Sequence, residues 1–316
     1  MHQKKVIVTD FLHPYLADWL VDKGFQVDIQ ETITNDELFS IIENYEGLVL
    51  STKINVTPTL IDKAKNLEFI ARAGSGMENI DVVYAKSKGI HVVNSPEGNA
   101  NAVAEHAVGM TLALLNNIVK SDAEIRNGVW QREPNRGEEI KGKTIGIIGY
   151  GHTGSRFAAK WGTFGVTILA HDKYKSGFGT TTVVEASVED IWEKAEIISF
   201  HLPLNAETQF YCNAAFINNM KRPFWLINTS RGKIVNTANL IEGLDQGKIL
   251  GAALDVFENE KFYQLEGTDL AQMQNLTKRH NIILTPHVAG WTHTSHLYLS
   301  KILAEKLDAL GIQSVK

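Results

Sequence analysis

Short apolar runs alternate with amphipathic stretches along most of this chain. Val6-Ile7-Val8 is followed by a helical pattern from Pro14 to Lys23 that Gly24 closes, and Phe25 to Ile29 reads as a strand. Thr34 with Glu37 forms a capping-box signature that opens a helix to about Tyr45. Gly47 to Leu50 reads as a third strand. Thr57-Pro58 supplies an N-cap with proline at the first helical position, for a helix through Lys65. Leu67 to Ala71 and His91-Val92-Val93 add two more strands. Strands alternating with helices predict a parallel sheet covered on both faces.

A long apolar helix, about Asn101 to Ile118, leads into a polar segment near Arg126 to Lys143. The rhythm then restarts. Six strands are predicted, at 145–148, 166–170, 197–200, 225–227, 250–254 and 282–284. Beyond Thr292 one helix remains, to about Leu310, and is expected to pack back onto the first domain. The fold class is therefore α/β, with two doubly wound parallel-sheet domains.

The second domain opens on its strongest signal. The strand Thr144 to Ile148 runs into Gly149-Tyr150-Gly151-His152-Thr153-Gly154, a helix is predicted from Ser155 to Phe164, and a second strand ends at His171-Asp172. The acid stands 18 positions after the last glycine (172 − 154). The first glycine makes a tight turn, the second admits a pyrophosphate, and the third lets helix and strand pack closely. The helix N-terminus offers N–H groups to phosphates, and Asp172 accepts from the adenosine ribose. Asp172 also repels a 2′-phosphate, so NAD is expected over NADP, with Lys173 and Lys175 close by as the opposing charges.

Bulk properties narrow the field. A chain of 316 residues exceeds one ordinary core. Its net charge of −5 gives no reason to expect nucleic acid or an anionic membrane as partner. One cysteine, Cys212, excludes an internal disulfide, fits a reducing compartment and reads as a buried apolar residue. The first apolar run is too short for a signal peptide, so a cytoplasmic setting is expected. No metal is called for.

Ligands of open parallel sheets bind beyond the carboxyl ends of the strands. Candidates there are Ser75, Asn79, Asp172, His201, Thr229-Ser230-Arg231, Asp255, Glu258, Glu260 and His287. A histidine suits proton exchange with an alcohol, and an arginine suits a bidentate grip on a carboxylate. Spacing alone leaves His201 and His287 even, cannot rank Glu258, Glu260 and Glu266, and allows Asp255 to be no more than a turn cap.

Several blocks together resemble the D-isomer-specific 2-hydroxyacid dehydrogenases over essentially the whole chain. They are 71–81 (Ala71-Arg72-Ala73-Gly74-Ser75-Gly76 onward), Asn94 to Asn99 with Ala104-Glu105, the glycine motif, His201-Leu202-Pro203-Leu204, Asn228 to Val235, Gly251 to Phe257 and Thr285-Pro286-His287. The resemblance implies a flavodoxin-like substrate domain of residues 1–98 plus 289–316, and a Rossmann NAD-binding domain of 99–288. It assigns Arg231 to the substrate carboxylate and carbonyl, His287 to acid/base work and Glu260 to partnering that histidine. Gly149, Gly151, His152, Thr153, Gly154, Asp172, His201, Pro203, Thr208, Thr229, Ser230, Asp255 and Gly290 form the implied NAD set. Ser75 and Gly76 would hold the substrate carboxylate.

Within the family the first two blocks are most similar to D-3-phosphoglycerate dehydrogenases, here in a short form without a regulatory domain. That implies interconversion of 3-phosphoglycerate and 3-phosphohydroxypyruvate, as in serine biosynthesis, by a homodimer in which Arg132 could come from the partner. Lys53 and Arg72 would then meet the phosphate; the alternative for both is solvated surface charge. Glyoxylate, hydroxypyruvate or D-lactate chemistry is the alternative function, and an NAD(H)-sensing interaction protein a further one. Two departures stand out: Lys261 follows Glu260 where the family usually has proline, and the stretch from Glu260 to His287 is long. Trp291 adds a bulky side chain just after the histidine turn.

Overall fold

A computed structural model describes residues 3–314. The chain divides into two compact units, Met1–Ala100 with Trp291–Lys316, and Asn101–Gly290. The first unit holds five parallel strands, β1 (Lys5–Val8), β2 (Gln26–Ile29), β3 (Gly47–Leu50), β4 (Phe69–Arg72) and β5 (His91–Asn94), in the order β2-β1-β3-β4-β5. That is the flavodoxin-like order. Alternation sends neighbouring side chains to opposite faces. Val6, Val8, Val49 and Phe69 pack with Leu16 and Leu20 of the helix Tyr15–Asp22 and with Leu299, Leu303 and Leu307 of the last helix, His293–Ala309. Ile7, Leu48, Leu50 and Ile70 face Leu38, Leu60 and Ile61 on the other side.

The second unit holds seven parallel strands: β6 (Thr144–Ile148), β7 (Thr167–His171), β8 (Val183–Glu185), β9 (Ile197–Phe200), β10 (Phe224–Asn228), β11 (Ile249–Leu254) and β12 (Ile282–Leu284). Their order, β12-β11-β10-β9-β6-β7-β8, is the doubly wound dinucleotide-binding arrangement with β6 first in sequence and central in space. Ile145, Ile147, Ile168 and Ile197 bury one face against Ala107, Phe157 and Trp161. Ile198, Phe200, Leu226 and Leu254 bury the other, where Cys212 is fully buried and its thiol is pushed up by that burial.

Three elements differ from the sequence expectation. A seventh strand, β8, lies at the sheet edge; at three residues, two of them exposed, it has too little pattern to show. The long helix runs Pro96–Leu115, five residues earlier than its apolar pattern, because Pro96 suits a first turn and the polar residues after it face away from any periodic stripe. It stops where Asn117 takes a left-handed φ of 52°, and a separate helix, Ile118–Arg126, follows. The helix of the glycine motif begins at His152, inside the motif, and ends at Lys160. No single described helix is long and apolar enough to cross a membrane.

Within the first unit the turn at Ser95 brings the following helix onto the last one. A Cβ at Gly98 would lie 2.7 Å from the Leu299 backbone nitrogen and 2.8 Å from its Cα. Gly98→Val must push the two helices apart, and should destabilise the protein by about 1–3 kcal/mol. A urea unfolding midpoint equal to that of the parent would show that the contact does not matter.

Candidate active site

Parallel register lines up the carboxyl ends of six strands in the second unit. His171, Ile148, Phe200, Asn228, Leu254 and Leu284 are successive cross-strand partners. The next residue on each strand is therefore Asp172, Gly149, His201, Thr229, Asp255 and Thr285. Residues scattered over 136 positions of sequence (285 − 149) thus fall in one row.

The glycine loop starts the row. Gly149 has a φ of 95°, and a Cβ there would sit 2.3 Å from the His201 carbonyl oxygen. A Cβ at Gly154 would sit 2.0 Å from the Gly149 carbonyl oxygen. Gly151 has no atom within 4 Å of its Cβ position, and no side chain caps the helix that it opens. Open space thus lies against the first N–H groups of the helix, where His152 and Thr153 stand, as a pyrophosphate requires. Asp172 is fixed by Tyr150 N (2.8 Å) and Tyr174 N (2.9 Å), which donate to separate carboxylate oxygens. Thr229 Oγ1 is buried without a hydrogen-bond partner among the described residues. Glycines, acid and orphaned hydroxyl all fit a dinucleotide.

His201 pairs its Nε2 with Ser199 Oγ at 2.9 Å, and burial drives its pKa down to about 3. It is neutral at working pH, a poor donor of protons. Thr208 closes its own turn, donating to the Pro203 carbonyl at 2.6 Å while accepting from Asn205 N.

Asn228 organises the arginine loop, a role that its place in the Asn-Thr-Ser-Arg block did not announce. Its Oδ1 accepts from Ser230 N (3.1 Å) and Ser230 Oγ (2.8 Å), and its Nδ2 donates to the Arg231 carbonyl (2.9 Å). Gly232 lies flat against the end of the β11 loop: a Cβ would fall 1.8 Å from the Phe257 carbonyl oxygen. That approach sets Arg231 beside the loop carrying Glu260, and its charge is felt there. Arg231 Nη1 donates to the Ser230 carbonyl at 2.7 Å.

His287 Nδ1 and Glu260 Oε2 are 2.8 Å apart. Burial alone would raise the Glu260 carboxyl. The hydrogen bond and charge of His287, the Phe257 N–H and the charge of Arg231 together outweigh it and hold the group below the usual carboxylate value. His287 has a φ of 54°, a conformation that costs a non-glycine residue about 1–3 kcal/mol. Its N–H donates to the carbonyls of Asp255 (2.8 Å) and Thr285 (3.0 Å). The fully buried Asp255 carboxylate accepts from Thr285 Oγ1 (2.6 Å), Val288 N (2.9 Å) and Ala289 N (2.8 Å). Asp255 thus builds the turn that leads to Gly290; its place in the NAD set rests on the resemblance. Glu258 does not join the site, since its Oε1 caps Thr237 N at 2.5 Å.

In the first unit, Ser75 and Gly76 follow β4 on a loop tied to β5. Gly74 N donates to Ser95 Oγ (3.2 Å), Asn94 Nδ2 to the Ser75 carbonyl (2.7 Å) and Ser75 Oγ to Asn99 Oδ1 (2.9 Å). Arg72 is only 7% exposed, so it is not the solvated surface charge of the alternative reading. Its guanidinium occupies the space a Gly74 side chain would need, with Nη1 1.7 Å from that Cβ position. Lys53 is exposed and donates to the Glu31 carbonyl just past β2, on the far side of β1 from β4. The structure does not bring Lys53 to Arg72.

The depressed His201 value makes a stability prediction. In the unfolded chain the imidazole takes up its proton near 6.5, in the folded chain near 3. The unfolded state therefore binds more protons between those values, and stability is lost as pH falls through that window. His201→Asn should flatten this slope in urea unfolding; parallel slopes would contradict the assignment.

With this geometry in place, likeness to known proteins is decisive. Residues 108–289 match the family profile "D-isomer specific 2-hydroxyacid dehydrogenase, NAD binding domain". The chain is 35% identical over 314 residues to hydroxypyruvate reductase of Thermotoga maritima, covering 99% of this chain and 100% of that protein. It is 32% identical over 305 residues to D-3-phosphoglycerate dehydrogenase of Archaeoglobus fulgidus, spanning 96% of this chain but 56% of that one. A solved D-lactate dehydrogenase from Aquifex aeolicus, complexed with NAD and lactic acid, superimposes with a TM-score of 0.83 at 27% identity, covering 98% and 95% of the two chains. The chain belongs to the D-isomer-specific 2-hydroxyacid dehydrogenases, enzymes of NAD.

Proposed function

We propose that this enzyme interconverts 3-phosphoglycerate and 3-phosphohydroxypyruvate, with His287 as acid/base, Arg231 as the substrate clamp and Glu260 as the partner of His287. The 2.8 Å contact between His287 and Glu260 carries the chemical part of this reading. NADH supplies the hydride for reduction. With Nδ1 engaged by Glu260, the imidazole presents Nε2 to the substrate and gives its proton to the carbonyl oxygen as that oxygen gains charge. Glu260, held below the usual carboxylate value, keeps the ring oriented through Nδ1. Arg231 binds the carboxylate and polarises the carbonyl through its planar fork. Ser75 and Gly76 are proposed to hold the carboxylate by backbone groups, and the chain to act as a homodimer, which light scattering would test.

Arg72 supports the phosphorylated substrate, because a guanidinium held one residue before the Ala73-Gly74-Ser75-Gly76 loop is a ready partner for a dianion. A second reading, free hydroxypyruvate, is favoured by the end-to-end match to the Thermotoga maritima reductase and by Lys53 leaning away.

NADH oxidation on 3-phosphohydroxypyruvate, hydroxypyruvate, glyoxylate and pyruvate at equal concentration separates them. His287→Ala should lower kcat by about 10²–10⁴-fold on every substrate. Arg72→Gln should reduce kcat/KM on the phosphorylated substrate alone; a uniform fall, or none, would transfer the assignment to hydroxypyruvate. Glu260→Gln removes the carboxylate that orients His287, so reductase kcat should fall about tenfold while KM for the 2-oxo acid changes little. A kcat equal to that of the parent would remove Glu260 from this role.

A further inference from the structure

One partly buried polar series lies outside the proposed acid/base machinery. His106, on the helix Pro96–Leu115, places Nε2 3.1 Å from Thr285 Oγ1 and 3.8 Å from Asp255 Oδ1. Thr285 Oγ1 is in turn 2.6 Å from Asp255 Oδ1. Two backbone N–H groups, from Val288 and Ala289, already point at the Asp255 carboxylate, which marks it as an acceptor. A hydroxyl has one proton to give. Thr285 therefore donates to Asp255, and the proton between Thr285 and His106 has to sit on the imidazole Nε2. Hydrogen bonds then run from His106 through Thr285 to the Asp255 carboxylate and on to the N–H groups of Val288 and Ala289, which flank His287 on its C-terminal side, while the His287 N–H itself donates to the Asp255 backbone carbonyl.

What this series stabilises is the left-handed backbone at His287. Such a conformation persists only where its surroundings over-determine it. Asp255 supplies most of that constraint, and Thr285 serves two partners, accepting from one side and donating to the other. Without His106 the Thr285 hydroxyl loses the contact that fixes its lone pair. The Asp255 carboxylate takes its hydrogen bonds from Thr285, Val288 and Ala289, not from the Gly149–Gly154 loop. Its effect should therefore fall on the acid/base step and spare cofactor binding.

We propose that His106 is a positioning residue, acting on His287 through Thr285 and Asp255; this rests on the reading of His287 as acid/base. His106→Leu should lower kcat about tenfold while KM for the 2-oxo acid, and NADH affinity by fluorescence titration, stay within about twofold. His106→Gln keeps an N–H donor within reach of Thr285 and should restore kcat to within about threefold of the parent. Thr285→Val cuts the series one step later, so its loss should match that of His106→Leu, and the double variant should lose no more than either single one. Additive losses, failure of the glutamine variant to rescue, or a parallel collapse of NADH affinity would each overturn the assignment. His287→Ala belongs in the same series. Intact turnover there would overturn both readings, whereas its inactivity beside a fully active His106→Leu would overturn only the role of His106.

Discussion

The buried carboxylate of Asp255 is the interaction on which the catalytic end of the second unit depends. A carboxylate out of reach of water needs several donors to be tolerated at all. Asp255 meets that need entirely from the segment after β12: one hydroxyl and two backbone N–H groups, with its own carbonyl accepting a third. The requirement works in both directions. The segment from Thr285 to Ala289 must wrap around the carboxylate, and in doing so His287 is forced into a left-handed conformation with its side chain turned outward, 46% exposed. An imidazole placed by a rigid turn, and not by its own rotamer preferences alone, is what proton transfer at a fixed distance demands.

Register supplies the rest of the assembly. β10, β11 and β12 are neighbours, with Asn228, Leu254 and Leu284 in line. Arg231 lies three residues past the first of these, Glu260 six past the second and His287 three past the third. Convergence of arginine, carboxylate and imidazole is thus a consequence of strand pairing, refined by two local devices. Asn228 folds the arginine loop back on itself, and Gly232 lets it lie on the Phe257 backbone at a distance no side chain would permit. Any residue other than glycine at 232 would separate Arg231 from the Glu260 loop.

Much of this was legible in the sequence because it depends on local chemistry. The glycine motif, the capping box at Thr34 and the strand-end candidates each follow from short-range rules, and Thr34 does form the box with Glu37. Choosing His287 over His201 did not follow from spacing; it needed the family resemblance, and the physical difference between the two is tertiary. His201 is half-buried and packs on Phe157, with its Nε2 on Ser199, whereas His287 faces a carboxylate brought from 27 residues away. Asn228 and His106 were also missed. The side chain of Asn228 acts within its own turn, and a histidine between Glu105 and Ala107 gives no local sign of a partner 179 residues away. β8 was missed because three residues at a sheet edge carry no usable period.

The stretch after Glu260 shows how a departure from the family pattern is absorbed. A proline at 261 would stiffen the backbone next to the carboxylate by fixing φ and removing a donor. Lys261 keeps its N–H, and Asn259 Oδ1 accepts it at 3.0 Å, closing a small turn around Glu260. Asn259 Nδ2 meanwhile donates to Asp269 Oδ2 at 2.9 Å, tying that turn to the helix Gly267–Thr277. Phe262 stands edge-on to Phe257 with ring centroids 5.3 Å apart, clamping the two sides of the loop. Three side-chain contacts thus replace the covalent ring, and the added residues form a short 3₁₀ turn and a helix that pack behind the loop instead of displacing it. These contacts hold the turn that carries Glu260, and Glu260 meets His287 with Lys261 beside it.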